Sequence, residues 1–328
     1  MTMTDEQCHV IQIIKQGPPD VLEYTTQQLE KTGDDEVLIE QKAIGFNFLD
    51  IFYRNGTFPL NSFPAPIGIE AAGVVSAKGR AVTNFELGDR VAYWSSMGAY
   101  ADRKVVNVKD LFKVPDSVAF DQAASVLVKG LTAYMLVKGS YPIKKGDVVL
   151  IHAVSGGVGS LLSRWAKSLG ATVIGTVGSM AKKQVAVNNL VDHVIALDSQ
   201  DFVQEIMSFT GGKGINVVYD SVGQDTFNKS VELFTSGGSA VLFGWSSGMP
   251  VIDEEDLNKK GIKYVRARFN DYWLTLKNPA EVVGEVFGAF QAGIFGDIRP
   301  TIYALADAAQ AHTDVEARKT TGAIIFHP

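Results

Sequence analysis

Cysteine is nearly absent from this chain: Cys8 is the only one among 328 residues. An intrachain disulfide framework is therefore impossible, and a zinc site built on several thiolates is excluded. Basic residues are not in excess either, because 30 Lys and Arg stand against 36 Asp and Glu, for a net charge of -6. This balance argues against nucleic acid or an anionic membrane as a partner, and any bound anion must be held by a local site.

Long hydrophobic runs are also missing. No apolar stretch approaches the roughly 20 residues that cross a bilayer. The first ten residues carry Asp5 and Glu6 and lack the apolar core of a secretory signal, so we expect a cytoplasmic protein. Hydrophobic residues make up 46% and charged residues 20%, as is typical of a globular protein, and 328 residues suit two domains.

The first part of the chain, to about residue 125, has the pattern of short strands and tight turns. Glycines and prolines punctuate the segment from Gly45 to Gly73. We expect a compact β-rich domain over residues 1–125 with little helix. On an extended segment of this kind, the neighbouring side chains of Phe52 and Tyr53 would point in different directions.

A regular alternation of apolar strands and helices follows a helix predicted over residues 122–136. This alternation predicts βαβ units and a parallel sheet. Six strands fit a doubly wound Rossmann domain, which we assign to residues 126–270. We expect residues 271–328 to return to the first domain. The six strands are predicted at residues 148–153, 171–177, 193–197, 215–220, 239–244 and 262–267.

A glycine-rich turn joins the first of these strands to the next helix. Glycines there let the backbone approach a pyrophosphate closely, and the helix N-terminus adds unpaired N–H groups and a positive dipole end. Gly156 and Gly159 fit the pattern G-x-G-x-x-G, whereas Val154 occupies its first glycine position. The context predicts a dinucleotide site; the alternative is an ordinary tight turn of a sheet protein.

The residues after the second strand favour NADPH over NADH. NAD enzymes place an acidic residue roughly 20 positions after the fingerprint, on the ribose 2′-hydroxyl. Gly178 and Ser179 stand there in this chain, no Asp or Glu is close by in the sequence, and Lys182 follows. A 2′-phosphate needs room, donors and a cation. We therefore predict NADPH, with a solvated helix lysine as the other interpretation of Lys182.

The sequence Gly68-Ile69-Glu70 in the β-rich half resembles a motif of the medium-chain dehydrogenases. Zinc-binding members usually have Gly-His-Glu here and a cysteine before the Asp that matches Asp50. Ile69 replaces that histidine, and Asn47 lies near the cysteine position, so we expect no zinc. Without this Lewis acid, hydride delivery to an already electrophilic acceptor is the easier reaction. Quinones and α,β-unsaturated carbonyls are acceptors of this kind.

Several further segments, in order along essentially the whole chain, carry the same likeness. The chain resembles the zinc-free quinone oxidoreductases, the zeta-crystallin-like branch of the medium-chain dehydrogenase/reductase superfamily. The resemblance implies an α/β fold, in which a Rossmann domain accompanies a β-rich GroES-like catalytic domain. It also implies NADPH-dependent quinone reduction and a homodimer. The segments are residues 43–50, 68–73, 130–133, 151–159 and 241–244.

The resemblance also assigns residues to the parts of NADPH. Lys182 and Arg318 would face the 2′-phosphate, although Arg318 is equally well interpreted as a surface residue at a helix end. Leu197 stands where the family often has a tyrosine beside the adenosine. The full set of expected cofactor contacts is Asn47, Thr132, Gly156, Gly157, Val158, Gly178, Ser179, Lys182, Leu197, Ser221, Val222, Phe243, Gly244, Ser246, Ser247 and Arg318.

Phe52 and Phe58 stand where the family often has two tyrosines in the substrate pocket. We expect a flat acceptor to stack against the nicotinamide between these rings. The Asn47 amide would donate to the developing oxyanion, and solvent would supply the proton. The alternative for Asn47 is a turn residue that holds its own loop.

Two other functions stay open at this point. One is an NADPH-dependent 2-alkenal or enone double-bond reductase on the same scaffold, because an aromatic pocket suits either substrate. The other is an NADPH-binding protein with little turnover that serves a structural role or binds RNA. The loss of both pocket tyrosines keeps this second alternative open.

Overall fold

Short strands joined by turns make up most of the N-terminal part of the protein in the computed structural model, which describes residues 7–235 and 237–328. Its strands are β1 (Gln7–Ile13), β2 (Leu22–Gln28), β3 (Glu36–Gly45), β4 (Ala65–Pro66), β5 (Glu70–Lys78), β6 (Arg90–Trp94), β7 (Arg103–Asn107) and β8 (Leu111–Lys113). Two helices interrupt or follow them: α1 (Phe48–Asn55) and α2 (Phe120–Tyr134), the latter continuing as a π-helical stretch over Met135–Ser140.

Helix α1 replaces the extended segment that the sequence suggested around Phe52. The Asn47 N–H donates to Asp50 Oδ2 over 2.8 Å, and the two residues form a capping box at the helix start. Gly56 ends the helix at a φ of +91°, a conformation that glycine adopts easily. Phe52 and Tyr53 are therefore about 100° apart around one helix. The expectation of an extended segment was wrong.

A second group of strands forms a six-stranded parallel sheet. The strands are β9 (Val148–Ile151), β10 (Thr172–Val177), β11 (His193–Ala196), β12 (Val217–Asp220), β13 (Gly238–Leu242) and β14 (Ile262–Arg266). The helices that follow them along the chain are α3 (Gly157–Ser168), α4 (Lys183–Asn188), α5 (Phe202–Phe209), α6 (Phe227–Val231), α7 (Glu254–Lys259), α8 (Phe269–Thr275) and α9 (Pro279–Gln291).

The strand order of this sheet is β11-β10-β9-β12-β13-β14, with every neighbouring pair parallel. The order reverses direction at β9 and β12, as in the doubly wound dinucleotide fold, so the predicted Rossmann sheet is confirmed. Strand residues such as Leu150, Ile174 and Val218 are fully buried in one apolar core with the helices that cover the sheet.

The last elements of the chain are β15 (Thr301–Ala304), α10 (Ala308–Glu316) and β16 (Ile324–His327). Strand β16 pairs with β15 and runs antiparallel to β3. The resulting sheet has the order β15-β16-β3-β5-β6-β8, with β7 also paired to β3, and a smaller sheet has the order β2-β1-β4. The C-terminal strand therefore completes a sheet that the N-terminal part began.

Two compact units result: unit 1 holds the described residues up to Val128 together with Ile298–Pro328, and unit 2 holds Lys129–Asp297. This division differs from the expected boundaries of 1–125, 126–270 and 271–328. Residues 271–297 group with unit 2, where their side chains make both apolar and polar contacts. Phe295 lies edge-on to Trp165 at 5.2 Å, and Tyr134 Oη donates to Glu285 over 3.0 Å.

No helix within residues 7–235 and 237–328 combines the length and the apolar character needed to cross a bilayer.

Candidate functional site

The connection between β9 and α3 in unit 2 has the geometry of a phosphate-binding turn. Ala153 adopts a φ of +56° as the chain leaves the strand, and Gly156 is the N-cap of the twelve-residue helix α3 without a side-chain cap. A Cβ on Gly159 would lie 2.3 Å from Ala153 O, and one on Gly156 would lie 3.3 Å from it. The turn thus excludes a Cβ at Gly159 and leaves little room for one at Gly156. The first N–H groups of α3 have no acceptor inside the helix.

The predicted 2′-phosphate residues lie together at the carboxyl end of β10. A Cβ on Gly178 would meet no heavy atom within 4 Å, so this position opens to space. Ser179 begins a short 3-10 turn over Met180–Lys182, whose last N–H donates to Ser179 O over 3.0 Å. Ser179 and Lys182 are half-buried. Room, a hydroxyl and an ammonium group thus occur on one short segment.

An acid that the sequence reasoning missed lies beside this segment. Asp198 Oδ2 accepts from the Met180 N–H over 3.3 Å, and Ser199 Oγ donates to its other oxygen over 3.0 Å. Asp198 follows β11, whose end pairs with the end of β10 through Val177 and Ala196. The carboxylate is exposed and places a negative charge near the predicted phosphate contacts. Strand order, rather than distance along the chain, brings it there.

Leu197 contributes an apolar surface at the same edge of the sheet. Its N–H donates to Val177 O over 2.9 Å, and its side chain packs against the core of unit 2. The Leu197 side chain has no polar group that could bind an adenosine or a phosphate.

Asp220, at the end of β12, shapes the loop that holds Ser221 and Val222. Its buried carboxylate accepts from Val222 N over 2.7 Å, from Gly223 N over 2.9 Å and from Thr226 Oγ1 over 2.7 Å. Three donors on one carboxylate fix the direction in which the chain leaves the strand. Asp220 is not among the predicted site residues, although an Asp at the end of a strand with a glycine soon after it is a turn signal.

The loops after β12 and β13 are joined by backbone hydrogen bonds. Ser246 N donates to Ser221 O over 3.1 Å, and Ser247 N donates to Val222 O over 2.8 Å. Phe243, just after β13, donates its N–H to Asp220 O. A Cβ on Gly244 would lie 3.0 Å from Ser221 O, so the close approach favours glycine. The structure therefore brings these predicted ribose contacts to adjacent strand ends.

His152, directly after β9, is buried and makes side-chain contacts with two other elements of unit 2. Its Nδ1 lies 2.8 Å from Thr176 Oγ1, and its Nε2 lies 2.8 Å from Ser230 Oγ. Burial lowers the pKa of His152, with the Asp220 carboxylate acting in the opposite direction. The imidazole has a structural role here, because both of its ring nitrogens lie within hydrogen-bond distance of buried hydroxyl groups.

Two predicted cofactor contacts lie away from these loops in sequence. Thr132 is half-buried in α2 and belongs to unit 2. Arg318 belongs to unit 1 and follows α10 with a φ of +57°, where its N–H donates to Val315 O over 2.9 Å. Arg318 directly follows the helix C-cap Ala317, a position at which helices commonly end in the left-handed conformation.

Asn47 in unit 1 is tied to a buried carboxylate. Its Nδ2 donates to Glu70 Oε2 over 2.9 Å, with Gly45 O at 3.5 Å. Glu70 is fully buried, and its other oxygen accepts from the Val128 N–H over 2.7 Å. One of the two Asn47 side-chain N–H groups is thus bound to Glu70, on another strand rather than within the loop of Asn47.

An aromatic cluster lies next to Asn47 on α1 and the turn after it. Phe52 meets Phe48 edge-on at 5.1 Å and Phe58 edge-on at 5.5 Å, and Tyr53 lies 5.7 Å from Phe58. Gln16 Nε2 donates to the carbonyls of Tyr53 and Phe58 over 2.9 and 2.7 Å, which fixes the turn. Burial and the Asp50 charge raise the pKa of Tyr53. The cluster therefore includes one phenol that the sequence reasoning placed elsewhere.

Ionisable groups fill the space beneath α1 in unit 1. Tyr100 Oη donates to Asp50 Oδ2 over 2.9 Å and lies 3.3 Å from His312 Nε2. Burial, followed by repulsion from Arg54, lowers the pKa of His312 to about 3. Arg54 is itself buried and donates to Glu316 Oε1 over 2.6 Å. These contacts connect α1 to α10.

Residues 7–235 and 237–328 contain no group of three or more His, Cys, Asp or Glu side chains placed to hold a metal ion. Ile69, at the position of the zinc-binding histidine in related enzymes, is a buried apolar residue.

Comparison with known proteins places both units in one family. Residues 33–116 match the alcohol dehydrogenase GroES-like domain, and residues 157–282 match the zinc-binding dehydrogenase family. The quinone oxidoreductase of Pseudomonas aeruginosa is 40% identical over 325 residues, which cover 97% of this chain and 99% of that protein. A 2-haloacrylate reductase of Burkholderia is 36% identical over 327 residues, which cover 96% and 98%.

A solved structure shows the same relationship in three dimensions. The Escherichia coli quinone oxidoreductase complexed with NADPH has a TM-score of 0.93 and 37% identity, over 98% of this chain and 100% of that one. The chain therefore belongs to the quinone oxidoreductase branch of the medium-chain dehydrogenase/reductase superfamily.

Proposed function

We propose that this protein reduces quinones with NADPH by hydride transfer and without zinc. The observation that carries this proposal is the bare-backbone turn at Gly156 and Gly159, at the carboxyl end of β9 where the strand order of a parallel sheet reverses. The Escherichia coli relative with this fold was crystallised with NADPH, which supports the choice of cofactor.

The residues of unit 2 fit the phosphates of this cofactor. Gly156, Gly157 and Val158 present backbone N–H groups at the start of α3, which suit a pyrophosphate. Ser179 and Lys182, with the open position at Gly178, suit a 2′-phosphate. We also propose Thr132, Leu197, Ser221, Val222, Phe243, Gly244, Ser246, Ser247 and, from unit 1, Arg318 as cofactor contacts.

In the proposed reaction, a quinone gains one hydride and one proton and leaves as the quinol. NADPH, when bound, supplies the hydride and becomes NADP⁺. Phe52 and Phe58 offer flat apolar faces against which a quinone ring packs. The second N–H of Asn47, beside the long 3.5 Å contact with Gly45 O, donates to the oxygen on which negative charge develops. The proton comes from solvent.

The absence of zinc, a cytoplasmic location and a homodimer are part of the same proposal. The absence of zinc is supported by Ile69, which stands in place of a ligating histidine, and by the single cysteine of the whole sequence. The low cysteine content and the acidic balance are compatible with the cytoplasm. The homodimer is proposed from the family resemblance.

The proposal is tested by following the loss of reduced nicotinamide absorbance with 1,4-benzoquinone and with a 2-alkenal in parallel. We expect fast loss with the quinone and slow loss with the alkenal. Fast loss with the alkenal alone would move the function to double-bond reduction, with fold and cofactor unchanged. Tight NADPH binding without turnover of either acceptor would contradict catalysis and favour the binding-protein alternative.

A further inference from the structure

We propose that Glu70 is a positioning residue for quinone reduction, because it fixes the orientation of the Asn47 amide. This inference rests on the proposed function and adds to it a residue that does not itself contact the acceptor. Glu70 lies 23 positions from Asn47 in the sequence and is fully buried.

The space for this carboxylate is provided by a glycine on the neighbouring strand. Strands β3 and β5 pair so that Gly45 lies opposite Glu70. A Cβ on Gly45 would lie 2.3 Å from Glu70 Oε2 and 2.6 Å from Ala124 O. Any larger residue at position 45 would displace the carboxylate, so the site depends on bare backbone at that position.

The two carboxylate oxygens of Glu70 accept from different elements. Oε1 accepts from the Val128 N–H of α2 over 2.7 Å, and Oε2 accepts from Asn47 Nδ2 over 2.9 Å. The carboxylate therefore joins α2 to the start of α1. Hydrogen bonds to a charged acceptor are stronger than those between neutral groups. Removal of a donor from a buried carboxylate therefore destabilises the folded protein, because the charge loses a partner that water cannot replace.

Glu70 also determines which end of the Asn47 amide faces it. A carboxylate accepts and does not donate, so it holds Nδ2 and repels Oδ1. With the amide in this orientation, one N–H is bound to Glu70 and the nitrogen lies 3.5 Å from Gly45 O. A contact of that length is weak, so the second N–H can turn to a developing oxyanion.

The position of Asn47 itself is fixed separately from its amide. Its backbone N–H donates to Asp50 Oδ2 at the start of α1. A change at Glu70 can thus turn the amide while the helix start keeps its capping bond. This separation allows an experiment that distinguishes the orientation of the amide from the stability of the fold.

The experiment compares Glu70→Gln, Asn47→Asp and the double variant. In Glu70→Gln, Oε1 keeps the Val128 bond while the new amide nitrogen faces Asn47, so Nδ2 loses its charged acceptor and the Asn47 amide turns to present Oδ1. In Asn47→Asp, two carboxylates oppose each other. In the double variant, the glutamine at position 70 donates to the aspartate at position 47, which restores one hydrogen bond with reversed polarity, and aspartate remains a good N-cap.

We expect both single variants to lower the melting temperature and kcat, and Glu70→Gln to leave the KM for NADPH within about twofold of wild type. The double variant should regain most of the melting temperature but not kcat, because position 47 then lacks an N–H. Loss of one oxyanion donor reduces kcat by about a hundredfold in comparable sites. Glu36→Gln is the control, because Glu36 also accepts a backbone N–H in unit 1, from Gly33, and should keep wild-type kcat.

Two results would overturn the positioning role while wild-type turnover stands. One is a Glu70→Gln variant with wild-type kcat and a lowered melting temperature. The other is a double variant that recovers kcat together with stability. A wild-type protein that binds NADPH but does not reduce benzoquinone would instead contradict the proposed function, so the two failures are distinct.

Discussion

Arg54 at the end of α1 donates to Glu316 at the end of α10 over 2.6 Å, and only 1% of the arginine side chain is exposed against 36% of the glutamate. The bond is made by Nη2, and Arg54 Nε and Nη1 have no hydrogen-bond acceptor in the part of the chain that the structure describes. A buried guanidinium with so few partners depends on the carboxylate it has. This ion pair therefore joins α1, the helix that contains Phe52, to α10 in the C-terminal part of unit 1.

Glu316→Ala should lower the free energy of unfolding by about 2 kcal/mol, less than for a fully buried pair because Glu316 is partly in water. Asp34→Ala is the matched control. Asp34 pairs with Arg80 over 2.7 Å, but 84% of that arginine is exposed, so its loss should cost less than about 0.5 kcal/mol. Urea unfolding followed by tryptophan fluorescence measures both. Equal losses would show that burial of Arg54 does not matter.

Lys182→Ala should raise the KM for NADPH about tenfold and leave the KM for NADH almost unchanged. The reason is that only NADPH carries the 2′-phosphate that this ammonium group would neutralise. Lys183→Ala is the control, because the neighbouring lysine has the same charge but begins α4. Steady-state kinetics at a fixed quinone concentration gives the KM of each variant for NADPH and for NADH, which are compared with the wild-type values. Equal effects on the two cofactors would remove Lys182 from the phosphate site.

Asp198→Asn should lower the KM for NADPH by about threefold, since it removes a negative charge beside the segment that holds Ser179 and Lys182. Asparagine keeps an acceptor for the Met180 N–H, so the loop should retain its shape. The KM for NADH is the internal control and should change little. A KM for NADPH that stays constant or rises would show that this carboxylate does not face the phosphate.

Acidification should destabilise the protein through His312. Burial and Arg54 lower its pKa from 6.5 to about 3 in the folded state, and Tyr100 and Phe46 surround the ring. The unfolded chain binds a proton below about pH 6.5 and the folded chain does not, so stability is lost as pH falls from 6.5 towards 3. The slope from this group is at most about 1.4 kcal/mol per pH unit.

His312→Gln tests this dependence, because glutamine is polar but does not titrate. Unfolding free energies of the variant and the wild type, measured at a series of pH values from about 6.5 to about 4.5, give the difference. Carboxylates contribute equally to both proteins and cancel. The variant should show the shallower decline; parallel curves would mean that His312 is protonated in the folded state.

The Rossmann sheet could be predicted because its strands are continuous apolar runs separated by helices, so the signal is local. The expected cofactor residues at Gly178, Ser179 and Lys182 follow from the same pattern, since they come directly after a strand. Helix α1 was missed because its signals are the capping pair Asn47 and Asp50 and the closing Gly56, which are also turn signals.

The contacts that could not be predicted are long-range ones. Asp198 reaches Met180 because β11 lies beside β10 in the sheet, and Glu70 reaches Asn47 because β3 pairs with β5 in one register. The residues next to these side chains in the sequence determine neither the strand order nor the register. The same applies to Arg54 and Glu316, which are separated by 262 positions.

The most direct test is a single-turnover measurement on protein treated with a metal chelator. The protein loaded with NADPH, either unlabelled or deuterated at the transferred C4 position, is mixed with 1,4-benzoquinone while the loss of reduced nicotinamide is followed. We expect rapid loss that chelation does not affect and that deuterium slows severalfold, because a hydride moves to the quinone without zinc. Activity that disappears on chelation and returns with zinc, or equal rates with both forms of NADPH, would contradict it.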